Sequence, residues 1–222
     1  PSSSSARILN SLGPAFPRAQ RTVDSLRIWC RLAGYTLSTP DVATIENLKS
    51  MDGDGIFYWA AHGGYGDLRG GAESTVFAMW TADVVNPENE AKYTEDLNTL
   101  HVVYIHAPDA VRTRGFVRPE DQGPFVTAWH YGVDLYFIGA NLSFANNSLV
   151  YFDACNSGGI DKGRFQPIMA KAGFYLGWTV AVDDKDADVA ARFFFDRTLG
   201  MNRNTPKLTP PQRPFFVEDV LS

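Results

Sequence analysis

Two short apolar runs that each end in a reactive side chain limit this chain more than any other feature. Ile56-Phe57-Tyr58-Trp59-Ala60-Ala61 leads into His62-Gly63, and Leu149-Val150-Tyr151-Phe152 leads into Asp153-Ala154-Cys155. A continuous apolar run of this length, rich in aromatic and β-branched residues, reads as a strand buried on both faces. Such strands belong to parallel sheets covered on both sides. In open parallel sheets, ligands sit beyond the carboxyl ends of the strands. His62 and Cys155 both occupy such ends, so the spacing places a base and a thiol at one edge of a sheet.

The flanking segments agree with an α/β chain. Ala6 to Leu9 reads as a first strand. Arg18 to Ala33 carries Val23, Leu26, Trp29, Cys30 and Ala33 at helical spacing, with Gly34 as a stop. Tyr35 to Ser38 reads as a short strand, and Asp41 as the cap of a helix through Ser50 with Val42, Ile45 and Leu48 on one face. After the Leu149 strand come a helix over Phe165 to Ala172 and a strand over Phe174 to Trp178. A closing helix over Asp186 to Leu199 carries Val189, Phe193, Phe194 and Leu199, and Gly200 stops it. Strand and helix in alternation predict a mainly parallel sheet between helices, an α/β/α sandwich of three layers.

The stretch from about residue 65 to residue 124 departs from that rhythm. It is rich in glycine, asparagine and proline, with β-like pieces at Thr75 to Trp80 and His101 to His106. It reads as a β-rich insertion, followed by a helical stretch over Phe125 to Gly139 in which His130 is a helix-face residue. Residues 1–5 read as a flexible lead-in, 6–204 as one domain, and the proline-rich residues 205–222 as a tail on the surface.

Bulk properties exclude several function classes. With 45% hydrophobic residues among 222, the chain can bury a substantial core. A net charge of −5 opposes a nucleic-acid backbone or an anionic membrane as partner, since both need a basic surface. No apolar run approaches the roughly 20 residues that span a bilayer. Two cysteines, Cys30 and Cys155, carry no zinc-site spacing, and the odd separation of His101 and His106 sends them to opposite faces of a strand. No metal and no cofactor is expected. The chain opens on Pro1 with no visible signal-peptide pattern, and a secreted or periplasmic location fits as well as a cytoplasmic one.

The chemistry that fits is nucleophilic. A thiol attacks efficiently only as the thiolate, and a neighbouring imidazole can take its proton and later pass one to a leaving amine. Gly63 leaves room for a substrate carbonyl to approach its N–H, which with the N–H of Cys155 would form an oxyanion site. Gly158 and Gly159 allow a tight loop after the thiol. Two rival motifs fail. His62-Gly63-Gly64 looks like the oxyanion strand of lipase-type esterases, but no Gly-x-Ser-x-Gly elbow accompanies it. Gly63-Gly64-Tyr65-Gly66 lacks the Lys-Ser/Thr that grips phosphate.

The strings IFYWAAHGG (Ile56 to Gly64) and LVYFDACNSGG (Leu149 to Gly159) resemble the two motifs of the caspase-like cysteine peptidases, which include caspases, metacaspases, legumains, gingipains and clostripains. The second string is similar to the Asp-x-Cys-x-Ser-Gly element of metacaspases. The resemblance implies a caspase-like fold and a Cys155/His62 dyad, with Cys155 as nucleophile and His62 as general acid–base. It implies an oxyanion site at Gly63 and Cys155, and a protein or peptide substrate. It also implies that Asp153 lines a pocket for Arg or Lys before the scissile bond, and that Trp178 and Thr179 border the cleft. Asp67, Asp183 and Asp184 are candidates for a second pocket acid. Asp153 could equally orient the Cys155 loop, and Trp178 could equally be a core aromatic. Two further readings fit the residues: an inactive caspase-like or CHAT-like peptide-binding module, and a flavodoxin-like binder of a small ligand. Oligomeric state is not readable from the sequence.

Overall fold

The computed structural model describes residues 1–12, 16–68, 72–105, 129–158 and 172–204, with 207, 217 and 220. Within them the chain is mixed α/β, built on a five-stranded sheet and a second, antiparallel one. The first sheet has the order β2-β1-β3-β8-β9, formed by Thr36–Leu37, Ser5–Asn10, Asp54–Ala60, Phe144–Asp153 and Phe174–Gly177, and every neighbouring pair is parallel. The central pair, β3 and β8, is the one whose apolar runs mark it as buried, and all seven residues of β3 are buried.

Alternation along these strands divides the core into two layers. Ile56, Tyr58 and Ala60 of β3, with Leu149 and Tyr151 of β8, pack against α1 (Pro17–Leu32) and α6 (Asp184–Thr198). Phe57, Trp59, Val150 and Phe152 face the other way, toward the second sheet and the short helix α2 (Ile45–Leu48). Helix α1 forms where its apolar spacing places it, and ends before Gly34, whose φ of 88° suits a residue without a side chain. Its partner α6 runs in the same direction. Arg18 pairs with Asp184 at 3.1 Å, and Thr22 donates to Asp188 at 2.6 Å, four residues further along both helices.

The insertion is a four-stranded antiparallel sheet that closes on itself in the order β4-β5-β7-β6, made of Gly63–Asp67, Glu73–Val84, His130–Asp134 and Val102–Ile105. It begins directly after His62 and extends to Asp134, beyond the expected 65–124. Two small helices, α3 (Pro87–Lys92) and α4 (Thr94–Asn98), lie between β5 and β6, and α5 (Leu135–Asn141) follows β7.

Several local expectations are corrected. His130 lies on a strand, not on a helix: β7 is bonded to both β5 and β6, and Asp134 ends it by capping α5, accepting the Phe137 N–H at 2.8 Å. Asp41 caps nothing, because Arg27 holds its carboxylate at 2.8 Å. The helix there starts later, at Ile45, where Thr44 accepts the Asn47 N–H and the buried Asp83 accepts the Ile45 N–H at 2.7 Å. Val42 is exposed, as are Val189 and Phe193 on α6; that helix buries Ala191, Phe194, Phe195 and Asp188 instead. Nor are residues 2–5 a free lead-in. Ser2 donates its N–H to the Asn146 carbonyl at 2.8 Å, and Ser5 already belongs to β1. The helix expected over Phe165 to Ala172 falls almost entirely outside the described residues, as do Gly159, His106 and most of the 205–222 tail.

One buried ion pair ties β1 to β3, the central strand of the parallel sheet. Arg7 of β1 donates to Asp54 at the start of β3 at 2.6 Å, and to the Pro40 carbonyl at 2.6 Å; Ser38 also donates to Asp54. Both charged side chains are almost fully buried. Removing one member of such a pair leaves a desolvated charge behind. Asp54→Ala is therefore expected to lower stability by about 3–5 kcal/mol, read as a shift of the urea unfolding midpoint at constant slope.

Candidate active site

The parallel β3–β8 ladder aligns Tyr58 with Tyr151 and Ala60 with Asp153. Neighbouring strands lie about 4.8 Å apart. His62 and Cys155 each stand two residues past the Ala60–Asp153 pair, at the carboxyl edge of the sheet. The Ala61 N–H still donates to the Asp153 carbonyl at 3.2 Å, which holds the two ends together beyond the last paired residues. A Cβ added at Gly63 would collide with the carbonyl oxygen of Cys155. Only glycine permits this approach, so the residue after the imidazole is in direct packing contact with the thiol-bearing residue.

Both side chains line one cleft, between the carboxyl edge of the sheet and the first turns of α1 and α6. Each is half-buried. The cleft is open on one side and has a cavity volume of about 60 Å³. That accommodates the end of a side chain, whereas pockets enclosing small-molecule ligands run to roughly 300–1,000 Å³. Its walls carry four carboxylates, Asp153, Asp183, Asp184 and Asp188. Arg18 pairs with Asp184, and Arg21 and Arg192 approach Asp188 at 3.9 Å, while Asp183 caps α6 by accepting the N–H groups of Lys185 and Asp186.

Asp153 and Asp188 are the buried two of the four, and Asp153 is the deeper. Tyr58 donates its hydroxyl to one carboxylate oxygen at 2.6 Å, and Trp178 donates its indole N–H to the other at 2.6 Å. Both donors are neutral. Burial raises the Asp153 pKa to about 6; the two hydrogen bonds oppose that rise, and the charges of Asp184 and Asp188 add to it. The carboxylate therefore carries its charge at neutral pH but titrates just below it.

Cys155 sits on a tight turn. The Ser157 N–H donates to the Ala154 carbonyl at 3.2 Å, and Asn156 has a φ of 60° in the left-handed region. The fully buried Ser157 fastens this turn to its surroundings. Its hydroxyl donates to the Phe152 carbonyl at 2.6 Å and accepts the Trp178 N–H at 3.1 Å. The segment after β9 runs alongside in the opposite sense: Gly158 donates to Trp178 at 2.8 Å and Asn156 to Val180 at 3.1 Å. At its end Val182 engages the thiol with both backbone groups. The Val182 N–H donates to Sγ at 3.4 Å, and Sγ donates to the Val182 carbonyl at 3.5 Å.

Cys30 is the contrast. It is fully buried in the α1 core, and burial pushes its thiol up to about 12, which leaves it inert at neutral pH.

His62 is flanked by aromatic rings. Phe16 meets it edge-on at 4.8 Å and Trp80 at 4.5 Å between ring centres. The Trp80 N–H donates to the His62 carbonyl at 3.0 Å. In an antiparallel ladder this makes Gly63–Met79 a non-hydrogen-bonded pair, so the Gly63 N–H aims away from β5.

Of the expected site residues, the structure brings His62, Gly63, Cys155 and Asp153 together. Trp178 reaches the site through its bond to Asp153 and does not line the cleft, and Thr179 is exposed and does not line it. Asp183 and Asp184 are cleft residues; Asp67 lies on β4 and is not. Asp188, Thr22 and Phe16 belong to the cleft wall without having been marked in the sequence. The helical spacing of Asp184 and Asp188, one turn apart on the face toward α1, is the signal that could have found the first of these. His101 is bound up elsewhere, its Nδ1 being 2.9 Å from Asp134. Among the described residues, no group of histidine, cysteine and acidic side chains could hold a metal ion, and no helix is long and apolar enough to cross a membrane. Comparison with protein-family models, with curated proteins and with solved structures finds no match to this chain.

The raised Asp153 pKa has a measurable effect on stability. Between the ordinary carboxylate value of 3.8 and about 6, the folded chain holds a proton here that the unfolded chain has lost. This contribution is thus fully present below 3.8 and is lost as pH rises through about 6. Urea unfolding at pH 4 and pH 7 should show a component of up to about 3 kcal/mol with that sign, absent in Asp153→Asn. An identical pH dependence in both proteins would exclude it.

Proposed function

We propose that the chain is a cysteine endopeptidase of the caspase-like type, with a preference for Arg or Lys before the scissile bond. The observation that carries this reading is the placement of an imidazole and a thiol two residues past one register pair, in a single open cleft with a buried carboxylate. The parallel sheet with α1 and α6 on one face is compatible with the three-layer sandwich of that type; the opposite face is packed largely by the closed antiparallel sheet.

In the proposed reaction, Cys155 Sγ attacks the carbonyl carbon of the peptide bond as its proton passes to His62. The oxyanion rests on the N–H groups of Gly63 and Cys155. His62 then protonates the departing amine as the C–N bond breaks, leaving a thioester on Cys155. Water attacks the thioester carbon, His62 takes its proton, and the restored thiol releases the acid.

The acidic cleft supports the specificity. A guanidinium or ammonium leaving water needs a carboxylate, and Asp153 offers one with both oxygens already oriented by Tyr58 and Trp178. The small cavity also speaks for a side chain rather than a flat cofactor, which disfavours the flavodoxin-like reading.

The hold of Val182 on the thiol favours a second reading, a module that binds peptide without cutting it. An Arg-terminated peptidyl acyloxymethyl ketone separates the two. Stoichiometric labelling that is lost in Cys155→Ala and reduced at least about 100-fold in rate in His62→Ala supports the peptidase, that being the usual scale of a general base. A folded protein that binds Arg peptides but never labels supports the module.

A pH profile tests the pocket. As pH falls from 7 to 5, Asp153 takes up a proton and its attraction for a cation is lost. The ratio of kcat/KM for an Arg substrate to that for a neutral substrate should then fall about tenfold, as expected for a free-enzyme pKa near 6. A flat ratio would remove Asp153 from the specificity pocket.

A further inference from the structure

A general base is useful only if its ring nitrogen faces the proton it must take, and an imidazole on a loop end can turn about two side-chain torsions. Around His62 the neighbours that restrict this turning include two aromatic rings. One of them, Trp80, comes from the closed antiparallel sheet rather than from the parallel sheet that carries the dyad. Its backbone is locked to His62 itself by the 3.0 Å bond from its N–H to the His62 carbonyl. Its indole lies flat on the His130 ring at 4.6 Å and 12°, and almost none of it is exposed. His130 is on β7, which pairs with β5 through Trp80–Gly132 and Val84–His130. Burial lowers the His130 pKa, which keeps that ring neutral at the pH where the site would work. Three rings thus form a row, His62, Trp80 and His130, anchored at its far end in the barrel wall.

We propose that Trp80 is a positioning residue, the barrel's contribution to the dyad, which holds the His62 ring in the orientation that serves Cys155. The catalytic part rests on the peptidase reading; the holding of the ring does not. A tryptophan suits this task because its rigid ring loses little rotamer freedom, and it meets the imidazole edge-on at 4.5 Å. It also gives the insertion a role: β4 departs directly from His62-Gly63, so the inserted strands are placed to brace the residue from which they spring.

The test uses the full chain with isotope-labelled histidine, the His62 signals being assigned from their absence in His62→Ala. In Trp80→Leu the His62 ring-proton shifts should move as the indole ring current is lost. Iodoacetamide alkylation of Cys155 at pH 7 should slow by about tenfold or more, the scale on which a misplaced catalytic group loses rate. Trp80→Phe, which keeps an aromatic wall, should recover most of both. Unmoved His62 shifts in a folded Trp80→Leu protein would overturn the proposal. Should that variant not fold, nuclear Overhauser contacts between the Trp80 indole and the His62 ring in the unsubstituted protein decide, and their absence overturns it. If the His62 shifts move but alkylation is as fast in His62→Ala as in the unsubstituted protein, Trp80 holds the ring and the peptidase reading is what fails.

Discussion

The pairing of β3 with β8 is the constraint from which the candidate site follows. Two parallel strands in register, Tyr58 with Tyr151 and Ala60 with Asp153, have their side chains in phase and their carboxyl ends level. The residues two places further on each strand, His62 and Cys155, line one cleft. The alternation that sends Phe57, Trp59, Val150 and Phe152 toward one core layer sends Asp153 toward the other, beside Tyr58. A one-residue slip would invert both assignments and separate the carboxylate from its donors. Burial on both faces of these strands makes such a slip costly, since it would move the large aromatics of β3 out of their layers.

Much of this was legible in the amino-acid order because buried parallel strands write themselves as unbroken apolar runs. The runs from Ile56 and Leu149 identified the central pair, and the residues that terminate them identified the cleft. Helix α1 was equally plain, its apolar residues recurring at 3.6-residue spacing up to Gly34. What escaped was decided by partners distant in the chain. Asp41 has the composition of a cap, yet Arg27 draws it away, and Asp83 supplies a carboxylate to the helix from 38 residues further on. His130 to Asp134 carries no strong period of its own and is a strand because β5 and β6 offer it hydrogen bonds on both sides. Val189 and Phe193 fit a helical stripe, but α6 is turned so that Phe194 and Phe195 meet the tyrosines of the sheet.

The cleft combines opposing electrostatic demands. Four carboxylates in one small space repel each other, and the structure disperses that repulsion in different ways. Arginines from α1 and α6 approach Asp184 and Asp188, the first turn of α6 absorbs Asp183, and two neutral donors hold Asp153. Among the described residues, the donors that hold the buried Asp153 are neutral ones.

Among the described residues, the hydrogen bonds to the sulfur come from peptide atoms. Because the N–H and C=O of Val182 are common to nearly every amino acid, exchanging the isopropyl group for another side chain would leave the clasp standing. Proline, lacking the N–H, is the exception. Whether this sulfur is sheltered or bare is accordingly a property of the path taken by the main chain from Trp178 to Asp183, and sequence drift at those positions would be nearly silent. Any control over reactivity at this point would have to act by bending that ribbon, for instance through something that seizes its exposed outer rim at Thr179, Val180 and Ala181.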